Sequence, residues 1–592
     1  MKSPPSGWPG PVGEGTIPSV EQQRRPWLVG RRGLLRSAFA VGTLSLAPSS
    51  LDRVHASSVQ SVGDARTAGV GGRLEPYADV EHSAFMHGVA SGDPLPTSVI
   101  LWSRVTPSPE AVPGSGLGAD VTLRWEVATD PAMRDIVRSG NVLVTAATDH
   151  TVHVDPHGLA PGTVYYFRFG VLEGELAGAS SPVGRTRTAP AEDADPGEIR
   201  LAVASCANFE AGYFGAYTGI AAAAARGEVD AVVHLGDYLY EYASGAYPGR
   251  HGISRPHVPT WEITSLADYR ARYGNYRRDT ELQAAHAAAP WVVTWDDHEI
   301  ANDAWEHGAA GHTPLAGEWP TRRDAAMQAY LEWLPVRGAA PSRGGRIYRS
   351  LRFGTLAELH MLDLRSYRSR PTLPRVGGLP PTMMGSEQFD WLSARLSTAD
   401  TRWNLIGTSV MMAPLNMVSL EASVRGPLAT MTGAAEASTA EGEKAAAANP
   451  DQWDGYPADR ARLLADLSRH HPEGRTVFLT GDIHSEWANH IVHDREVVAA
   501  ELVTTSITAR NIDDILALPE DSLVAATAES HIRTHNPHVA HVDLDAHGFA
   551  ILSVTHAGVT MRWLRVDDIY TRGSGLHAGP AATYDGRAIT LV

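Results

Sequence analysis

The chain has little of three things that would place it in other classes of protein. Cys206 is the single cysteine among 592 residues, so no disulfide can form within the chain and the thiol is free, reactive or metal-bound. No apolar run approaches the roughly 20 residues that span a bilayer, and we do not expect an integral membrane protein. Lys and Arg (50) are fewer than Asp and Glu (67), and the net charge of −17 argues against a nucleic-acid-binding face.

The N-terminus carries the pattern of an export signal. Arg31 and Arg32 form a twin-arginine motif, an uncharged stretch over 37–47 follows, and Val-His-Ala at 54–56 offers a small-residue cleavage site. We therefore expect residues 1–56 to be a Tat signal and the protein to be secreted, either extracellular or associated with the cell wall. Because Tat substrates are exported folded, this route suits a chain without disulfides that acquires a cofactor inside the cell. The alternative interpretation is a disordered basic tail.

The rest of the chain divides into two regions with different sequence patterns. Over residues 76–190, short runs rich in β-branched and aromatic residues alternate with Gly, Pro and Asp turns, which predicts a small antiparallel β-sandwich of fibronectin type. Over 199–570, apolar strands alternate with helical segments, which predicts a layered α/β domain. We expect a flexible insertion at 423–449 and a C-terminal tail at 571–592.

Predicted strands of the α/β region end in residue types that bind metals. Ligands bind beyond the carboxyl ends of strands in open α/β sheets, so we expect these strand ends to converge on one face. The strand ends at 204–208, 234–240, 294–303, 408–412 and 480–484 together offer Cys, Asp, Tyr, Asn and His, which are all metal-ligand types.

The donor types favour two kinds of metal. Thiolate and phenolate ligands, with an Asp and a His, favour the strongly acidic Fe(III). Carboxylate and amide oxygens suit Ca²⁺ or Mg²⁺ at a second site. Each motif also has a simpler explanation: Gly-Asp after a strand is often a turn, a lone Cys is often a small buried apolar residue, and Asp296-Asp297-His298-Glu299 could open a helix.

Taken together, these motifs resemble those of the PhoD-like alkaline phosphatases, bacterial members of the calcineurin-like metallophosphoesterase superfamily. The resemblance rests on Phe85-Met-His-Gly-Val-Ala-Ser-Gly-Asp-Pro94, Gly236-Asp-Tyr-Leu-Tyr-Glu241, Thr294-Trp-Asp-Asp-His-Glu299, Asn302 and Gly481-Asp-Ile-His484. It covers almost all of the chain after the predicted signal. It implies an α/β fold, a four-layer α/β/β/α metallophosphoesterase sandwich, with the N-terminal fibronectin-like β-sandwich packed beside it.

The resemblance also implies a set of metal ligands. Fe(III) would bind Cys206, Asp237, Tyr240 and His484. One or two Ca²⁺ ions, or other divalent metals, would share Asp237 and bind Asp482. Asn302 and Asp297 are both open as the remaining ligand of this second site.

The implied activity is hydrolysis of phosphate mono- and diesters by in-line attack of a metal-bound hydroxide. His298 is a candidate for protonating the leaving group or contacting phosphate, or it is a helix-start residue that orients Asp297. Arg365, after another predicted strand, is the candidate phosphate-binding arginine.

Other functions are open at this stage. A phospholipase D that cleaves lipid-headgroup diesters would use the same metals, and a nucleotidase or nuclease of the same superfamily is possible too. A non-catalytic cell-surface binding protein would instead have a degenerate metal site. We expect a monomer that acts on a small phosphate ester or a phospholipid and that meets the Tat export machinery.

Overall fold

The computed structural model describes residues 84–340, 344–370, 380–416, 450–519 and 521–592. The predicted signal at 1–56 and the predicted insertion at 423–449 lie outside these described residues and stay predictions. No helix in the described ranges is both long and apolar enough to cross a bilayer.

A ten-stranded sheet forms one half of the centre of the molecule. Its strands are β1 (Val89–Leu95), β2 (Ser98–Arg104), β5 (Thr151–Val154), β8 (Glu198–Ala204), β9 (Ala231–His234), β10 (Pro290–Val293), β20 (Gly548–Thr555), β21 (Val559–Val566), β22 (Leu576–Tyr584) and β23 (Ile589–Leu591). Their spatial order is β23-β22-β21-β20-β8-β9-β10-β1-β2-β5, and β8, β9 and β10 run parallel. The carboxyl ends of these three strands therefore lie at one edge.

A seven-stranded sheet forms the other half. Its strands are β13 (Arg349–Phe353), β14 (Ala357–Met361), β15 (Trp403–Thr408), β16 (Thr476–Thr480), β17 (Glu486–His493), β18 (Glu496–Val503) and β19 (Val539–Asp543). They lie in the order β13-β14-β15-β16-β18-β17-β19, with β14, β15, β16 and β18 parallel. Two smaller sheets contain β3 (Val121–Ala128), β4 (Ile136–Val144), β6 (Val164–Val171) and β7 (Gly184–Arg187), and the short pair β11 (Ala304–Trp305) and β12 (Gly308–Ala309).

Helices cover the outer faces of the two large sheets. The ten-stranded sheet is covered by α1 (Gly215–Ala225), α2 (Leu266–Arg277), α3 (Thr280–Ala288) and α4 (Trp319–Trp333). The seven-stranded sheet is covered by α5 (Gly385–Ser397), α6 (Pro457–His470), α7 (Ile512–Leu516) and α8 (Leu523–His535). Between the sheets lies a shared apolar core that includes Leu201, Val233, Leu405 and Leu479. The predicted four-layer α/β/β/α sandwich is confirmed.

The sequence explains why these strands lie inside. Every residue of β9, β10, β14, β15 and β16 is buried, as expected of parallel strands covered on both faces. Such strands are continuous apolar runs, so polar residues collect in the loops that follow them.

The N-terminal β region is less separate than the sequence predicts. The sheet of β3, β4, β6 and β7 faces β1, β2 and β5 across a common core that contains Val89, Leu101 and Phe167. However, β1 also pairs with β10 in parallel, Ser91 opposite Pro290. One layer of the predicted sandwich is therefore an extension of the ten-stranded sheet, a long-range pairing that local patterns do not reveal.

The predicted C-terminal tail at 571–592 is wrong. Residues of this segment form β22 and β23, which pair with β21 and with each other. Ala581 and Ala582 are buried in that pairing. The sequence pattern does not predict β22, because its Gly, Ala and Pro residues have low β-propensity. Pairing with the edge of an existing sheet outweighs that preference.

A buried ion pair joins the two large sheets and yields a stability prediction. Glu486 on β17 accepts from Nε and Nη2 of Arg565 on β21 at 3.0 and 2.6 Å, and the Glu486 side chain is fully buried. Removing the guanidinium leaves the buried Glu486 carboxylate with only His541, 3.5 Å away, and removes the ion pair with Asp543, so we expect Arg565→Met to lower the free energy of unfolding by about 3–5 kcal/mol. Thermal melting measures the effect. Exposed Arg562 on the same strand is the matched control, and equal melting of R565M and R562M would contradict the assignment.

Candidate metal centre

The loops after β8, β9, β10 and β16 meet at one edge of the paired sheets. Several of their polar residues have left-handed backbone conformations, with φ of 60° at Cys206, 54° at Asp237, 64° at Asp482 and 49° at His484. Non-glycine residues in this region cost on the order of 1–3 kcal/mol and concentrate at functional sites. The chain therefore tolerates strain at the positions where it turns these four side chains toward one another.

The first group of donors contains Cys206, Asp237 and His484. One ligand atom from each lies within 4.8 Å of the others. The buried Tyr240 hydroxyl lies 3.0 Å from Asp237 Oδ2 and 3.3 Å from His484 Nε2. His484 Nδ1 donates to the Arg510 carbonyl at 2.8 Å, which leaves Nε2 as the lone pair that faces the cluster. The structure thus brings together all four residues to which the resemblance assigns iron.

The second group consists of carboxylates. Ligand atoms of Asp237, Asp296, Asp297 and Asp482 lie within 4.8 Å of one another, and Asp237 belongs to both groups. Asp296 was missing from the predicted ligands, although it stands next to Asp297 in the same Asp-Asp pair. A choice between adjacent acids depends on where the loop turns, which the sequence alone does not show.

Asn302, the other candidate for the second site, is engaged elsewhere. Its Oδ1 accepts from the Tyr242 hydroxyl at 2.8 Å, and its backbone N–H donates to Glu241 at 2.7 Å. The structure therefore places Asp297 among the clustered carboxylates and Asn302 beside Tyr242 and Glu241.

The chemistry of the donor set fits bound cations. Burial raises the pKa of Asp237 well above its usual range, and the adjacent Asp297 and Asp296 raise it further. Burial and Asp296 likewise raise the pKa of Asp482. Among the described residues, Asp237 Oδ1 and Asp296 Oδ2 are buried without a hydrogen-bond partner. Clustered carboxylates of this kind need positive charge to be ionised together.

The Cys206 thiol and the Tyr240 phenol, like the carboxylates, need a nearby cation to be ionised. Burial raises the pKa of the Cys206 thiol well above its ordinary value, and the neighbouring Asp237 adds to the shift. Burial and Asp237 act in the same direction on the pKa of Tyr240. A metal that holds both as anions must be a strong Lewis acid, in agreement with the donor-type argument for Fe(III).

His298 forms a third group of possible ligands with Asp237 and Asp297, whose ligand atoms lie within 4.8 Å of one another. Its Nδ1 is 2.7 Å from Glu241 Oε2, and its ring packs on Tyr240 with centroids 4.2 Å apart. Burial lowers its pKa, but Asp297, Glu241 and Asp237 outweigh that effect and raise the pKa well above 6.5. Residues 297–303 form bends and turns rather than a helix, so no helix begins at His298, and that part of the alternative interpretation is wrong.

Two glutamates that were not singled out hold the loops in place. Glu299 accepts from the backbone N–H groups of Asp237, Tyr238 and Asp296 at 3.1, 2.6 and 2.8 Å. Glu241 binds both His298 and the Asn302 backbone. Both residues stood inside the recognised motifs, but their contacts connect loops that are distant in sequence.

Arg365 is not placed to bind phosphate, and that prediction is corrected. Its side chain is completely buried, with Nε 2.5 Å from Asp296 Oδ1 and Nη2 3.0 Å from Asp451 Oδ2 and 3.5 Å from Asp297 Oδ1. Arg368 also pairs with Asp451. The guanidinium neutralises the carboxylates beside the candidate metal site, because it is fully buried within 3.5 Å of three acids.

Comparisons with known proteins give a consistent result. The family model of the PhoD-like phosphatase matches residues 201–563, and that of the PhoD-like phosphatase N-terminal domain matches residues 72–190. Alkaline phosphatase D of Bacillus subtilis (strain 168) is 37% identical over 446 residues, which are 72% of this chain and 69% of the Bacillus protein. A solved structure of PhoD has a TM-score of 0.72 and 32% identity, and the match covers 87% of this chain and 93% of that one.

The buried position of Arg365 yields a test that separates a structural role from phosphate binding. We expect Arg365→Met to lower the free energy of unfolding by about 3–5 kcal/mol, because it leaves buried carboxylates without their counter-ion. The control is Arg352→Met, whose partner Asp400 is exposed and which we expect to cost at most about 1 kcal/mol. Thermal melting without added metal measures both. An R365M protein that melts like R352M and loses only substrate affinity would contradict this role.

Proposed function

The chain belongs to the PhoD-like phosphatase family and is a phosphoric ester hydrolase, and from this premise we propose a secreted, metal-dependent enzyme that cleaves phosphate mono- and diesters. The observation that carries the proposal is the shared position of Asp237. This residue lies within 4.8 Å of the thiol and imidazole donors on one side and of three further carboxylates on the other. Such an arrangement suits two adjacent cations.

From the types of donor atom, we assign the two metals to different sets of residues. Fe(III) would be held by Cys206, Asp237, Tyr240 and His484. One or two Ca²⁺ ions would be held by Asp237, Asp297 and Asp482, with Asp296 beside them. When bound, the cations would polarise the phosphoryl oxygens and lower the pKa of the water that attacks phosphorus in line.

The protein's own groups orient the substrate and move the proton. His298 is the proposed acid for the leaving oxygen, because Glu241 fixes Nδ1 and leaves Nε2 available. Glu299 holds three backbone N–H groups and so fixes the loops that carry Asp237 and Asp296. Rigid placement matters here because phosphoryl transfer depends mainly on positioning and charge stabilisation.

Export by the Tat route and a monomeric state complete the proposal. The twin arginines at 31 and 32 support the route, and so does the absence of a disulfide partner for the buried Cys206. Folding around metals before export would load the site inside the cell.

The iron assignment predicts a spectroscopic signature. Tyrosinate bound to Fe(III) absorbs visible light, so we expect Tyr240→Phe to abolish that band, and Cys206→Ser to lower iron content. Elemental analysis and a visible spectrum of the purified protein measure both. Tyr242→Phe is the control, since the Tyr242 hydroxyl contacts Asn302 instead of the iron donors. A band that persists in Y240F, or full iron in C206S, would remove these residues from the ligand set.

The acid role of His298 predicts a dependence on the leaving group. We expect His298→Asn to slow hydrolysis of alkyl phosphates by about 10²–10⁴-fold, because alkoxides need a proton to leave. Aryl phosphates with acidic phenols should be affected much less. The exposed His307 is the matched control as His307→Asn. Equal losses on alkyl and aryl phosphates would show that His298 acts by another route.

A further inference from the structure

Arg365 and Arg368 are buried against carboxylates, so another positively charged side chain is needed to bind the phosphate group of the substrate. Both guanidinium groups are fully buried and ion-paired, Arg365 with Asp296 and Arg368 with Asp451. Arg272 is also buried, and its side chain donates to backbone carbonyls, including that of Tyr242. These three arginines stabilise the loops, because each is fully buried against carboxylates or backbone carbonyls, although Nη2 of Arg365 and Nε of Arg368 donate no hydrogen bond.

Arg510 is different in both position and pairing. Its backbone carbonyl accepts from His484 Nδ1, which places the residue directly beside the first group of donors. Its Cζ lies 4.6 Å from the centroid of the Tyr247 ring, and that ring stacks on Tyr240 with centroids 5.7 Å apart. The side chain therefore extends along the aromatic wall that begins at a proposed iron ligand.

The Arg510 guanidinium retains binding capacity. Within the part of the chain that the structure describes, it forms no ion pair with a carboxylate, its buried Nε donates no hydrogen bond, and its side chain hydrogen-bonds only to Tyr247. Burying part of a charged group without a counter-ion is unfavourable, and a bound anion would remove that cost. Guanidinium groups also match the geometry of phosphate oxygens and bind them with two hydrogen bonds.

We propose that Arg510 binds the non-bridging oxygens of the substrate's phosphate group, and that Tyr247 positions the guanidinium for this contact. The inference rests on the proposed function and replaces Arg365 in the role that the sequence suggested for it. A cation at this place favours a dianionic phosphate monoester over a monoanionic diester, because the attraction grows with the charge of the ligand. Arg510 thus contributes to selection between the two substrate classes.

The experiment compares Arg510→Gln and Arg510→Lys with the wild-type holoenzyme. Inorganic phosphate is the probe, and its affinity is measured by calorimetry and by competitive inhibition. A charge-assisted hydrogen bond is worth about 1.5–3 kcal/mol, so we expect R510Q to weaken phosphate binding about 10- to 100-fold and to raise KM more than it lowers kcat. R510K should recover part of the affinity, since lysine restores the charge without the two-pronged geometry.

Two further measurements separate substrate binding from damage to the fold. Metal content and melting temperature of R510Q should equal those of the wild type, and the monoester-to-diester ratio of kcat/KM should fall. Arg572→Gln is the matched control, because Arg572 is exposed and lies over the Tyr213 ring. It should leave all of these quantities unchanged.

The outcomes distinguish this inference from the proposed function. If wild-type holoenzyme neither binds phosphate nor cleaves any ester, the proposed function fails and this inference fails with it. If the wild type binds phosphate and R510Q binds it within about twofold, Arg510 is not the anion ligand and the proposed function stands. An R510Q protein that loses its metals would show that Arg510 supports the metal site and would also overturn the proposal.

Discussion

Mutual repulsion among buried carboxylates is the constraint on which this molecule depends. Asp237, Asp296 and Asp297, all buried, and the half-buried Asp482 converge at a single edge of the paired sheets, where water screens them poorly. Arg365 supplies positive charge from behind, and the donor groups in front call for metal cations. The proposed activity would link stability to metal binding, because the same carboxylates must be neutralised in the folded chain and would have to be available to bound cations.

The fold solves this problem through parallel strands. Apolar runs such as β9 and β10 are covered on both faces, so their polar residues can appear only after the strand ends. Left-handed turns at Cys206 and Asp237 then direct the side chains inward at a cost in backbone energy. Glu299 offsets part of that cost, because it accepts hydrogen bonds from three backbone N–H groups in two loops. Hydrogen bonds between protein groups therefore hold the strained geometry without a bound cation.

Positive charge has two separate tasks at this site. Arginines that face the protein interior are buried against carboxylates or backbone carbonyls and hold the loops together, whereas a cation that recognises substrate must lack a carboxylate partner. Arg365 and Arg510 exemplify the two cases, although in sequence each is simply an arginine in a loop after a strand. The difference lies in burial and in the number of neighbouring acids.

The sequence alone determined the fold class, the family and the main candidate ligands. Runs of buried apolar residues and the polar residues that end them are local patterns, and together with the resemblance to the family's motifs they indicated Cys206, Asp237, Tyr240, Asp482 and His484. Only the tertiary structure decided that Asp296 joins Asp297, that Arg365 is an internal counter-ion, and that β1 and β22 extend the central sheet. The physical reason is that ion pairs and strand pairing between distant segments depend on how the layers pack. A local pattern records the type of a side chain and not the partners that compete for it.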